Sequence, residues 1–119
     1  MTDRNKTCEE RIDGELEERV GELKHVMDQR CNPFKDIYGD SYNDVMDWLD
    51  TWSIGYGDDP HYRAKRLELS WGGPSDGFRF FEDGTIEYYF QDWFDGARRR
   101  LYGNDYDTLK RLYNCCLSF

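Results

Sequence analysis

His61 follows Asp58 and Asp59 closely in the chain, and a carboxylate so placed orients an imidazole as a general base. These three residues are the candidate for a small enzyme. That reading requires a pocket around His61, and a histidine on a loop among acids is ordinarily just solvated. No Gly-x-Ser-x-Gly elbow accompanies it. Gly55-Tyr56-Gly57 and Gly72-Gly73 supply the glycines of a phosphate cradle. Neither precedes a helix that would aim N–H groups at a phosphate, and Asp58-Asp59 would repel one. The run Asp36 to Asp44 is rich in oxygen ligands but lacks the one-three-five spacing and closing Glu of a calcium loop. A tight turn before a capped helix accounts for it. Cys8, Cys31, Cys115 and Cys116 form no C-x-x-C, and His25 and His61 share no ligand spacing with them, so no metal or cofactor is expected. The expectation is a binding protein, not an enzyme.

Binding chemistry is better represented. Arg98-Arg99-Arg100 lies near Tyr88, Tyr89, Phe90, Trp93 and Phe94, and arginines beside aromatic strands stack bases. Against this, Asp92 and Asp95 interrupt the patch, and a net charge of -9 opposes phosphate, so direct contact with nucleic acid is not expected. The arginines are as well suited to internal ion pairs. If the strand face carrying Tyr89, Gln91 and Trp93 is exposed, it makes a protein contact of the type that hot spots favour. If helices cover both faces, it makes none.

The charge is uneven. Residues 1–61 contain 16 Asp/Glu against 7 Lys/Arg, whereas residues 62–119 contain 9 of each. The whole net charge therefore belongs to the first half and points to a basic partner. The alternative is a merely solubilising face.

The elements that must hold these residues follow from periodicity. Ile12, Leu16, Val20, Leu23 and Met27 form one stripe of a helix over 7–31, opened by a Thr7/Glu10 capping box and stopped at Asn32-Pro33. A second helix over 41–53 carries Tyr42, Val45, Met46, Leu49 and Trp52 on one face, with Ser41 as its cap. Residues 54–60 read as a loop. Alternation at Leu67, Leu69 and Trp71 marks a strand, Phe78–Glu82 a second, and Thr85–Trp93 a third beyond the Asp83-Gly84 turn. Residues 94–103 read as a crossover or a short fourth strand around Arg99–Tyr102. Asn104 or Asp105 then caps a last helix to Leu117. The predicted fold is a single α+β domain over 1–119, with a three-stranded antiparallel meander packed on about three helices in the order α-α-β-β-β-α. Glu15, Glu18 and Glu22 on the first helix and Asp44, Asp47 and Asp50 on the second would make one acidic surface if those helices lie side by side.

In size, acidity and the pairing of acidic helices with an aromatic sheet, the chain resembles small phage- and mobile-element-encoded inhibitors of the anti-CRISPR and antirestriction kind. The segments Ser70–Asp76 and Tyr89–Gly96 have the look of family signatures. The resemblance implies carboxylates presented where a nuclease expects DNA phosphates. The expected partner is thus a protein with a basic surface, such as a nuclease or CRISPR effector complex. The alternative is an adaptor or assembly module using Tyr89 and Trp93 with Arg98–Arg100, and a homodimer through the sheet is compatible with either. With no apolar leader and no run long enough to span a bilayer, a cytoplasmic protein is expected.

Overall fold

Thr7 and Glu10 cap each other at the start of α1 (Cys8–Met27). The Glu10 N–H donates to Thr7 Oγ1 at 3.2 Å, and the Thr7 N–H donates to Glu10 Oε1 at 3.0 Å. Behind this capping box Ile12, Leu16, Val20 and Leu23 of the predicted stripe are buried, Met27 is partly so, and Cys8 and Val26 join the buried face. In this computed structural model, which describes residues 6–29, 33–72, 74–92 and 94–118, α1 ends four residues earlier than the spacing predicts. The expected stop at Asn32 lies outside the described residues.

The second helix begins later than expected. Asp36, not Ser41, organises this stretch. Its Oδ1 accepts from the N–H groups of Tyr38 and Asp40, both at 2.9 Å. With Gly39 in the left-handed region at φ 87°, this turn folds β1 (Phe34–Lys35) back on β2 (Ser41–Tyr42). Asp44 then caps α2 (Val45–Trp52), accepting from the Asp47 N–H at 2.9 Å. The later start rotates the apolar face. Trp48 and Leu49 are buried and Val45 and Trp52 partly so, while Met46 is exposed.

The predicted three-stranded meander is a five-stranded one. β3 (Gly55–Asp58), β4 (Ala64–Ser70), β5 (Ser75–Phe81), β6 (Ile86–Asp92) and β7 (Asp95–Arg100) pair antiparallel in chain order. β3 hides in the sequence because glycines alternate with its one apolar residue, Tyr56. β7 answers to the short fourth strand offered within 94–103 but lies earlier, at Asp95–Arg100, and its arginines alternate as strand residues do. Arg99 points to the helices and reaches Glu9 and Asp13 of α1 at 2.7 and 2.9 Å, while Arg98 and Arg100 take the opposite face.

One face of the sheet, with Leu67, Leu69, Phe78, Phe80, Ile86, Tyr88 and Phe90, shares a core with α1, α2 and α3 (Gly103–Leu112). α3 starts without the side-chain cap expected of Asn104 or Asp105 and continues into a π-helical turn over Tyr113–Leu117. α1 lies on β6, β7 and α3, whereas α2 packs on the small hairpin. Asp76 is the polar anchor of the core. It is 2% exposed, accepts from Tyr88 Oη at 2.6 Å and from the Ser70 hydroxyl, and is held by Arg19 of α1. Burial and the Asp76 carboxylate together push the Tyr88 hydroxyl far above its ordinary range. Among the described residues, no helix is long and apolar enough to cross a membrane.

Candidate binding surfaces

The six predicted acidic residues divide into three situations. Glu18 and Asp50 are exposed and make no ion pair among the described residues. Asp44 and Asp47 are exposed but serve the start of α2, since Asp47 also accepts from the Asn43 N–H at 3.1 Å. Glu15 and Glu22 lie on the flank of α1 beside Arg19. Burial is the main influence raising both carboxyls above their ordinary values, and in Glu22 it outweighs the pull of Arg19. α1 and α2 therefore do not form the side-by-side acidic ridge that their sequences suggest.

They meet instead at a pocket of about 280 Å³. Trp48 and Trp52, one turn apart on α2, stack with ring centroids 4.7 Å apart and planes at 21°. Tyr38 and Tyr42 of the hairpin add two further rings, and Glu22, Asp36 and Asp40 supply carboxylates. No Lys or Arg is among the lining residues. The Trp52 indole N–H is buried and lies near the Glu22 carboxylate, short of strict hydrogen-bond geometry. Burial and the Asp36 and Asp40 carboxylates raise the Tyr42 hydroxyl above its ordinary value. The sequence signal for this site was the Trp48/Trp52 spacing of four, obscured by placing the start of the helix at Ser41.

Among the described residues, no helix packs on the second face of the sheet. Its centre is Arg79, sandwiched between the rings of Tyr62 and Tyr89 at 4.8 and 4.5 Å. Arg79 Nε donates to Asp59 at 2.9 Å and Nη1 to Glu87 at 2.7 Å. Tyr89 is consequently only 5% exposed and its hydroxyl is pushed up to about 12 by burial. It is a support for this face, not the contact residue that alternation implied. Trp93 lies outside the described residues. Arg98 and Arg100 of this face make no ion pair among the described residues. Arg98 donates to the Tyr62 hydroxyl at 3.5 Å, and Arg100 lies over the Tyr102 ring.

The candidate enzyme site does not assemble. His61 is exposed on the loop between β3 and β4. Asp58 pairs with Lys65 at 2.5 Å. Asp59 turns inward, where the N–H groups of His61 and Tyr62 and the Arg79 guanidinium hold its carboxyl below the ordinary value despite its burial. The nearby cavity of about 560 Å³ is lined by Tyr62, Arg63, Phe80, Lys110 and Tyr113, among others, but not by His61. Among the described residues no three metal-ligating side chains converge. Cys8 and Cys116 are buried, Cys115 is exposed, and Cys31 lies outside the described residues.

The chain matches no family model, no curated protein and no solved structure.

Proposed function

We propose that the protein works by binding, and that the carboxylates of α1, the β1–β2 turn and α2 attract a basic surface on a macromolecular partner. One observation carries this. Glu15, Glu17 and Glu18 of α1, and Asp36, Asp40, Asp44, Asp47 and Asp50 around α2, make no ion pair among the described residues. In the sheet, by contrast, Asp58, Asp59, Glu68, Asp76, Glu87 and Asp92 are each paired with a cation. The charge of these eight carboxylates is left without a paired cation among the described residues, and a field of that kind steers basic partners and selects among them. In the form that the resemblance to phage and mobile-element inhibitors implies, the partner is a nuclease or CRISPR effector and the carboxylates occupy its nucleic-acid channel.

The test is capture of the partner by wild type and by a Glu17→Lys/Glu18→Lys/Asp50→Lys variant, whose exposed sites leave the core untouched. Salt-sensitive capture that is lost in the variant, with the partner displaced by DNA or RNA, supports the proposal. Undiminished capture by the variant overturns it.

A second reading, an adaptor contact on the open sheet face, is favoured by the unpaired Arg98 and Arg100. Here Arg98→Ala/Arg100→Ala is the informative variant, because Tyr89→Ala would undermine Arg79 as well. Capture that survives high salt and fails in this variant would point to the open face.

A further inference from the structure

We infer that the pocket between the Glu22 turn of α1, the β1–β2 hairpin and α2 binds an alkylated ammonium group, such as a methylated lysine side chain or a choline-like molecule. The inference rests on the proposed binding of basic partners and names the chemistry that one part of the acidic surface selects. Trp48, Trp52, Tyr38 and Tyr42 all line this one small cavity, and aromatic rings attract a cation through their quadrupoles. Its volume of about 280 Å³ fits a single side-chain head, not a drug-sized ligand.

The charges agree with the rings. Glu22, Asp36 and Asp40 line the cavity with no cation among the lining residues. Asp36 is largely committed to the turn, where it accepts from Tyr38 and Asp40, and Glu22 lies 3.6 Å from Arg19. Asp40 has no ion-pair partner among the described residues. The walls thus offer negative potential more than directed acceptors. That favours a weakly hydrated alkylated ammonium over a bare one, which would forfeit its water for few hydrogen bonds.

The probe is choline, titrated into the full chain and followed by NMR of the tryptophan indole N–H signals. The control is 3,3-dimethylbutan-1-ol, its uncharged carbon isostere. The Trp48 and Trp52 signals are expected to move with choline and the Trp71 signal to stay. The alcohol should bind at least about tenfold more weakly. Asp40→Asn and Tyr38→Ala, both at exposed positions, should each weaken choline binding several-fold with the fold intact. A peptide carrying trimethyllysine, compared with choline, separates the two sources: tighter peptide binding assigns a protein side chain, and equal or tighter choline binding assigns a small molecule. Equal affinity for choline and the alcohol, or unmoved Trp48 and Trp52 signals, overturns the inference. The Glu17→Lys/Glu18→Lys/Asp50→Lys variant should still bind choline. If wild type binds choline but the variant captures partner undiminished, the acidic-surface proposal fails while the pocket stands.

Discussion

Arg19 grips Asp76 with both arms of its guanidinium. Nε donates to one carboxylate oxygen at 2.8 Å and Nη2 to the other at 3.0 Å, tying the middle of α1 to the first residues of β5. Removing one member of such a pair leaves a buried charge uncompensated. Asp76→Ala should therefore lower stability by about 3–5 kcal/mol in urea unfolding. It also strips the Tyr88 hydroxyl of its acceptor. The Arg19→Ala/Asp76→Ala double variant should lose less than the sum of the singles. Additive losses would mean that the two side chains act independently.

Gly77 is the glycine that this sheet cannot exchange. A Cβ there would sit 2.2 Å from the Leu67 carbonyl oxygen and 2.7 Å from the Tyr89 hydroxyl. Gly77→Ala should cost about 1–3 kcal/mol, the usual price of overpacking, and should displace Tyr89 from Arg79. Gly57→Ala, where a Cβ meets open space, should be close to neutral. Thermal unfolding of the two variants makes the comparison.

Falling and rising pH should act on different carboxyls. Burial first, and Glu18 among the neighbours, raise the folded-state value of Glu22. The folded chain therefore holds that proton more tightly than the unfolded chain. Stability falls as pH rises from the ordinary carboxyl value through the raised one. Glu22→Gln should flatten the urea midpoint over that interval. Asp59 has the opposite sign, since its folded value lies below the ordinary one. Its contribution is present above the unfolded value and disappears as pH drops through the folded one. An unchanged profile in Asp59→Asn at the acid end would refute its share.

Thiol chemistry should distinguish two adjacent residues. Burial, then the hydrogen bond with Cys115, push the Cys116 thiol up to about 12. Burial and Asp95 raise Cys8 as well. Because the thiolate is the nucleophile, iodoacetamide at neutral pH should label exposed Cys115 well before Cys8 or Cys116, as read by peptide mapping. Equal labelling of Cys115 and Cys116 would show that the C-terminal turn opens.

Helical periodicity was legible in the sequence, and so was one cap, since both are local: the stripe of α1 and its Thr7/Glu10 box stand where their spacing puts them, whereas the caps expected at Ser41 and at Asn104 or Asp105 do not form. The strands behaved differently. β4, β5 and β6 carry enough apolar alternation to be recognised, but β3 and β7 are strands because neighbours pair with them. Their glycines and arginines gave no propensity signal. Ser41 and Asp44 were equally good caps by type, and the Asp36 turn, a contact spanning four residues, decided between them. For the candidate binding surfaces, the sequence located the negative charge in the first half of the chain. It could not foresee that Asp44 and Asp47 would be occupied at a helix start, or that Tyr89 would lie beneath an arginine, because both depend on side-chain packing in three dimensions.

The strand order of the sheet also bears on how the chain is made. Each strand from β3 to β7 pairs with its immediate neighbour in sequence, so the sheet can grow as a succession of hairpins with little loop entropy to overcome. α1 is the exception. The Cys8 N–H meets the Asp95 carboxylate at 2.6 Å across 87 residues. A ribosome therefore releases this helix long before its docking platform exists. Meanwhile its apolar stripe must wait uncovered, and the exposed glutamates along its outer side keep that waiting segment in solution.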